Sequence, residues 1–141
     1  MLVKEIMSRD VHITQPHATL REAAEMMKVF DVGPLPVCDG DRLVGIITDR
    51  DITTRAVAEG QDCWEGKVRD AMSTDIAWCY DDDDVATASR QMRDQQIRRL
   101  LVLDRKKRLV GIVSLGDLAV HTGDTQVSGQ TLQAVSQPGD H

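Results

Sequence analysis

Two halves of this chain are written to one pattern. VKEIMSRDV (3–11) is echoed by VRDAMSTDI (68–76), and RLVGIITDRDI (42–52) by RLVGIVSLGDL (108–118). A shift of 65 residues superposes the first pair, and one residue inserted after Asp104 brings the second pair into line. Identities include Met7 with Met72, Ser8 with Ser73, Asp10 with Asp75, Met27 with Met92, Gly45 with Gly111 and Asp51 with Asp117. A repeat of this size is one supersecondary unit that cannot cover its own apolar face, so two copies packed by their sheets are the economical solution. The expected organisation is a first copy at 3–56, a linker at 57–67, a second copy at 68–121 and a polar, flexible tail at 122–141.

Each copy carries the same order of signals. An apolar run, VHIT (11–14) or IAWCY (76–80), reads as a strand. A helix follows, opened in copy one by Thr19 and Glu22 at the spacing of a capping box. Its apolar residues Leu20, Ala23, Ala24 and Met27 recur at helical period, as do Val85, Ala88 and Met92 in copy two. Two strands come next, PLPVCD or LLVLD and then LVGII or LVGIV, joined by a polar turn. A second helix begins near Asp49 or Leu115. The predicted class is α/β of the α+β kind, built from two β-α-β-β-α repeats packed by their sheets.

Charge and composition narrow the function. A net charge of −6 and 41% hydrophobic content suit a globular cytoplasmic protein and disfavour nucleic acid as a primary partner. Aromatic residues make up only 3%, too few for a base-stacking platform. The opening residues are charged by Lys4 and nowhere do 18 apolar residues run together, so neither a signal peptide nor a membrane span is expected. Cys38, Cys63 and Cys79 form no metal or disulfide spacing, and His12, His17, His121 and His141 are scattered. The run Asp81 to Asp84 is expected to cap a helix rather than hold a cation. No nucleophile stands beside a base at a defensible spacing, so an enzyme is not expected.

The chemistry concentrates in the phrase that ends each copy, a glycine, two aliphatics, a hydroxyl residue and an aspartate three places on. Thr48 with Asp51, and Ser114 with Asp117, stand at strand-to-helix junctions. Capping the following helix would need only one residue of each pair. A hydroxyl beside free backbone N–H groups is a good phosphate contact, and an aspartate one turn later can accept from two vicinal hydroxyls of a ribose. Capping and a nucleotide half-site both remain open on spacing alone.

The doubled order VKEIMSRDV…GIITDRDI and VRDAMSTDI…GIVSLGDL, each with an LPV or LLV strand ahead of the phrase, resembles the CBS domain, whose tandem pair is called a Bateman module. The resemblance covers residues 3 to about 121 and extends to stand-alone bacterial CBS-pair proteins of the hypoxic-response and signal-transduction groups. It implies sheet-packed repeats leaving two clefts for an adenosyl ligand such as AMP, ADP, ATP, NAD or S-adenosylmethionine, a homodimer, and an unknown downstream protein that reads ligand occupancy. It also implies a pseudo-two-fold axis relating the two repeats. From the residues themselves no metal is required for the fold and no catalytic residue is expected. By the same resemblance Thr48 and Asp51 would serve one cleft, and Ser114 and Asp117 the other. Adenine would rest against Val11 and Ile13, or Ile76 and Trp78.

The copies differ. Copy two carries Ile97-Arg98-Arg99 where copy one has Val32-Gly33-Pro34, and Gly116 where copy one has Arg50. Arg98 and Arg99 match residues that hold phosphate in some family members, and they equally suit a solvated face or a dimer contact. Gly116 would either let backbone approach a phosphate or ease the turn. Unequal affinities are therefore expected.

Overall fold

A computed structural model describes residues 1–122 and 133–135. The chain divides into two compact units, His12–Ile76 and Met1–Val11 with Ala77–His141. They are called here the copy-one unit and the copy-two unit.

In the copy-one unit, helix α1 (Leu20–Phe30) buries Leu20, Ala23 and Met27 on one face, the period that the sequence sets. Thr19 caps it by accepting the Glu22 N–H at 3.1 Å, and it ends at Asp31 in the left-handed conformation (φ 53°). The linker residues supply the rest of its start: Gly66 and Cys63 carbonyls accept the N–H groups of Leu20 and Arg21 at 3.0 and 3.1 Å, and the Arg21 guanidinium lies 4.1 Å from the Trp64 ring centre. Strands β1 (Pro34–Asp39) and β2 (Arg42–Thr48) form an antiparallel hairpin that turns at Gly40, where φ is 63°. The expected strand over 11–14 reduces to one residue, Thr14, whose backbone bonds Pro36 and Cys38 beside β1. Helix α2 (Asp49–Asp51) continues as a π-helix, Ile52–Val57. There the hydroxyls of Thr53 and Thr54 donate to the carbonyls of Asp49 and Arg50 at 3.0 and 2.8 Å, competing with the backbone ladder and favouring the wider turn. A short helix α3 (Val68–Ala71) precedes Met72 and Ser73. Leu20, Leu35, Val37, Ile47, Ala56 and Val68 belong to this unit's core.

The copy-two unit repeats the plan with one strand more. Strand β3 (Trp78–Tyr80) pairs in parallel with β4 (Arg99–Leu103), which pairs antiparallel with β5 (Leu109–Ser114). Helix α4 (Val85–Gln95) starts at Asp84, which accepts the Ala86 N–H at 2.9 Å, and ends at left-handed Gln96. Of the acidic run, Asp84 therefore caps, Asp83 accepts the Tyr80 N–H at 2.9 Å, and Asp82 takes a forked bond from Arg105. The residue inserted after Asp104 is accommodated by a left-handed Lys107 and by Asp104, whose Oδ1 accepts the N–H groups of Lys106 and Arg108 at 2.9 Å each. Helix α5 (Leu115–Thr122) closes the unit. Val3, Ile6 and Met7 share a core with Met92, Leu100, Val102 and Val113.

The opening motif of each copy thus packs in the unit built mostly from the other. Ser8 exchanges backbone bonds with Ile112 at 2.8 and 2.9 Å, and Ser73 does the same with Ile46. The mixed helical and stranded content, with its two small sheets, is that of the α+β class. The expected flexible tail over 122–141 lies almost wholly outside the described residues.

Candidate functional site

The end of β2 and the start of α2 form one corner, and the end of β5 and the start of α5 form its counterpart. In the first, the Thr48 N–H donates to Asp51 Oδ2 at 2.9 Å and the Asp51 N–H donates to Thr48 Oγ1 at 3.1 Å. In the second, the Ser114 N–H donates to Asp117 Oδ2 at 2.8 Å and the Asp117 N–H donates to Ser114 Oγ at 3.1 Å. These are reciprocal capping boxes. They correct the expectation that capping needs only one residue of each pair: both are used, because hydroxyl and carboxylate each satisfy a different orphan N–H. All four residues are half-buried, and the Asp51 side chain is 17% exposed. One carboxylate oxygen of Asp51 is engaged by the box, and the other faces Arg55 at 3.7 Å.

Strand register fixes what stands opposite. Arg99 pairs with Ser114, and the Leu115 N–H bonds the Arg98 carbonyl at 2.8 Å. In the other unit Pro34 pairs with Thr48, and the Asp49 N–H bonds the Gly33 carbonyl at 3.2 Å. Arg98 and Arg99 are thus at the corner of Ser114 and Asp117, exposed, and structurally equivalent to Gly33 and Pro34. Arg50 is exposed in the first turn after Thr48. Gly116 is exposed with only Ser114 Oγ near a would-be Cβ, at 3.5 Å, and its φ is not positive, so the turn makes no demand for glycine there.

The apolar candidates fall differently. Ile13 lies in the copy-one unit with Thr48 and is 42% exposed, whereas its proposed companion Val11 belongs to the copy-two unit. Ile76 closes the copy-one unit, while Trp78 opens β3 in the other. The Trp78 ring meets Tyr80 edge-on at 5.0 Å and lies 5.8 Å from Lys107 Nζ, so it leans toward the β4–β5 turn, the end of the hairpin remote from Ser114. A depression of about 350 Å3 opens along α1, lined by Thr14, Glu22, Glu25, Met26, Val29 and Phe30, without Thr48 or Asp51.

Sequence reasoning passed over Asp49. Its Oδ1 accepts the Arg50 N–H at 3.0 Å and stands 3.2 Å from the Cβ position of Gly33. The signal was present in the alignment, where Gly33 with Asp49 in one copy becomes Arg98 with Leu115 in the other. Burial raises the Cys79 thiol to about 12, helped by Asp83 and Asp81, and burial followed by Asp41 also raises Cys38. Neither is a poised nucleophile. Among the described residues no three His, Cys, Asp or Glu side chains are placed to hold a metal, and no helix is long and apolar enough to cross a membrane.

Comparison with known proteins gives the family. The sequence profile of the CBS domain matches residues 3–57 and 68–121. The CBS domain-containing protein YhcV of Bacillus subtilis is 39% identical over 139 residues, which cover 99% of this chain and 98% of YhcV. Hypoxic Response Protein I, solved with two coordinated zinc ions, is similar with a TM-score of 0.77 at 34% identity, covering 86% of this chain and 98% of that one. The CBS pair of MJ0100, in complex with 5′-methylthioadenosine and S-adenosyl-L-methionine, gives 0.74 at 28%, covering 89% and 98%. CBSX2 in complex with AMP gives 0.74 at 25%, with the same coverage. With both repeats matched, and with each unit built on one hairpin and one hydroxyl–aspartate corner, this chain belongs to the CBS domain family as a tandem pair.

Proposed function

We propose that the chain is a non-enzymatic regulatory module that binds an adenine nucleotide (AMP, ADP, ATP or NAD) at its hydroxyl–aspartate corners and signals energy or redox state to a partner protein. The observation that carries this reading is the corner of the copy-two unit. There Arg99 lies across the strand pair from Ser114, with Asp117 one turn away. A guanidinium carried across the strand pair from a hydroxyl suits phosphate, and an aspartate one turn on suits a ribose diol. CBS pairs of similar fold are known with AMP and with S-adenosyl-L-methionine. Occupancy acts on a partner only if the ligand prefers one of two conformations or assembly states, a homodimer among them.

A thermal-shift and calorimetric screen of AMP, ADP, ATP, NAD and S-adenosylmethionine tests the proposal. A ligand present at one hundred times its dissociation constant should add about 2.7 kcal/mol of stability. Failure of every adenosyl compound to shift the melting temperature would overturn it. Such an outcome would favour a second reading, a structural dimer whose corners only cap helices, for which the closed capping boxes of both copies speak.

A further inference from the structure

We infer that the two corners select opposite charge at the 5′ end of a nucleoside: the copy-two corner takes an anionic phosphate, the copy-one corner takes a nucleoside whose 5′ group is neutral or cationic, and Asp49 sets the difference. The inference rests on the adenosyl-binding reading above and extends it to the chemical class of each ligand.

Strand pairing and capping make six positions equivalent one by one: Gly33 with Arg98, Pro34 with Arg99, Thr48 with Ser114, Asp49 with Leu115, Arg50 with Gly116, and Asp51 with Asp117. Over these six the formal charge is −1 in copy one and +1 in copy two. The inversion comes from one coupled pair. A side chain at position 33 would meet the Asp49 carboxylate, whose Oδ1 is already 3.2 Å from the Cβ position of Gly33. Copy two starts the Arg98 side chain at that position and answers it with Leu115 rather than an acid. The Arg50 N–H bond to Oδ1, at 3.0 Å, helps fix the Asp49 carboxylate in place. Arg50 is the sole cation among the copy-one six, against two in copy two, and Arg55, 3.7 Å from Asp51 Oδ1, is committed to the ribose-side carboxylate rather than to Asp49.

A phosphate brought beside Thr48 therefore approaches the exposed Asp49 carboxylate, and like charges at a few ångströms repel, the more so at low ionic strength. A thioether or sulfonium at the same place meets no such penalty, and a sulfonium is attracted. The ribose contact is common to both corners through Asp51 and Asp117, so the discrimination lies only in what the nucleoside carries beyond its sugar.

Isothermal titration of the full chain with adenosine, AMP, ATP and S-adenosylmethionine tests this. In Asp117→Asn, which weakens the copy-two corner, adenosine and S-adenosylmethionine should bind at least as tightly as AMP. In Asp51→Asn, affinity should rise from adenosine through AMP to ATP. Adding Asp49→Asn to Asp117→Asn should raise AMP affinity roughly tenfold while moving adenosine less than about twofold. Asp49→Leu, which installs the copy-two residue, should do the same, and melting curves establish that each variant is folded. A preference for AMP over adenosine in Asp117→Asn, or an AMP-to-adenosine ratio indifferent to Asp49→Asn, overturns the inference and leaves adenosyl binding standing. So does loss of all binding in Asp117→Asn when wild type binds. Wild type that binds none of the four overturns the inference, and wild type that binds neither these nor ADP and NAD overturns the adenosyl-binding reading as well.

Discussion

The sulfur of Met72 lies 2.8 Å from the point where a Cβ on Gly45 would stand, and the Ser73 carbonyl lies 2.9 Å from it. Met7 and Ser8 crowd Gly111 in the same way, at 2.7 Å each. The glycine that opens each G-h-h-[ST]-x-x-D phrase is thus there for close approach, and what approaches is the Met-Ser of the other copy's opening motif. A methyl at either glycine can push a flexible methionine aside but must also move a backbone carbonyl held by paired hydrogen bonds, Ser73 to Ile46 or Ser8 to Ile112. Gly45→Ala and Gly111→Ala should each lose about 1–3 kcal/mol in urea denaturation. Adding Met72→Ala to Gly45→Ala should recover only part of the loss. A change below about 0.5 kcal/mol would remove the close approach as the reason for glycine.

The crossed packing predicts which fragments fold. Residues 12–76 contain Gly45, Met72 and the Ile46–Ser73 pair, whereas residues 3–56 keep Gly45 and lose what covers it. Val3, Ile6 and Met7, all buried, pack in the core of the other unit. Fragment 12–76 should therefore show a cooperative denaturation transition and retained circular dichroism, and fragment 3–56 should not. Equal transitions in the two fragments would contradict the crossing.

Much of this was legible in the residues. The alignment placed Arg99 level with Pro34 and Ser114 level with Thr48, and the strand registers have the same pairs. Helix starts at Thr19 and Asp84 followed from side-chain chemistry that acts within a few residues. What a linear pattern could not hold was which sheet each Met-Ser lies on, since either hairpin presents the same glycine to the same motif. The run VHIT departs from its expected strand for a related reason: a strand needs a partner along its length, and only Thr14 finds one. Trp78 has adenine-sized apolar surface, but its ring leans on Tyr80 and toward Lys107, a residue of the inserted turn that copy one lacks.

The thiols should separate by burial. Cys63 is exposed, while Cys38 and Cys79 are buried and have raised pKa values. At neutral pH a thiol reagent should modify Cys63 quickly and the other two only as fast as the protein opens. The pH dependence has a definite sign. An unfolded chain releases the Cys79 proton near 9.0, and the folded one keeps it to about 12, so stability falls as pH rises between those values. Below that window this group contributes no slope. Cys79→Ala should flatten the alkaline fall relative to wild type, and an unchanged slope would show that Cys79 does not carry it.

Asp51 stands where a structural role and a ligand role can be pulled apart. Its Oδ2 accepts the Thr48 N–H, a bond that asparagine can still make through its amide oxygen, whereas charge and the second acceptor oxygen are lost. Asp51→Ala and Thr48→Ala should each cost about 1 kcal/mol by opening the capping box. Asp51→Asn should cost only a fraction of that, yet weaken any ligand whose ribose hydroxyls need two carboxylate oxygens by roughly tenfold or more. The same contrast should hold for Asp117→Asn against Asp117→Ala, because the Ser114 box has the same bonds within 0.1 Å. Stability read by urea and affinity read by calorimetry then move independently. If both asparagine variants together bind adenosyl ligands as wild type does, the aspartates are helix caps only, and the ribose must be sought elsewhere in the chain.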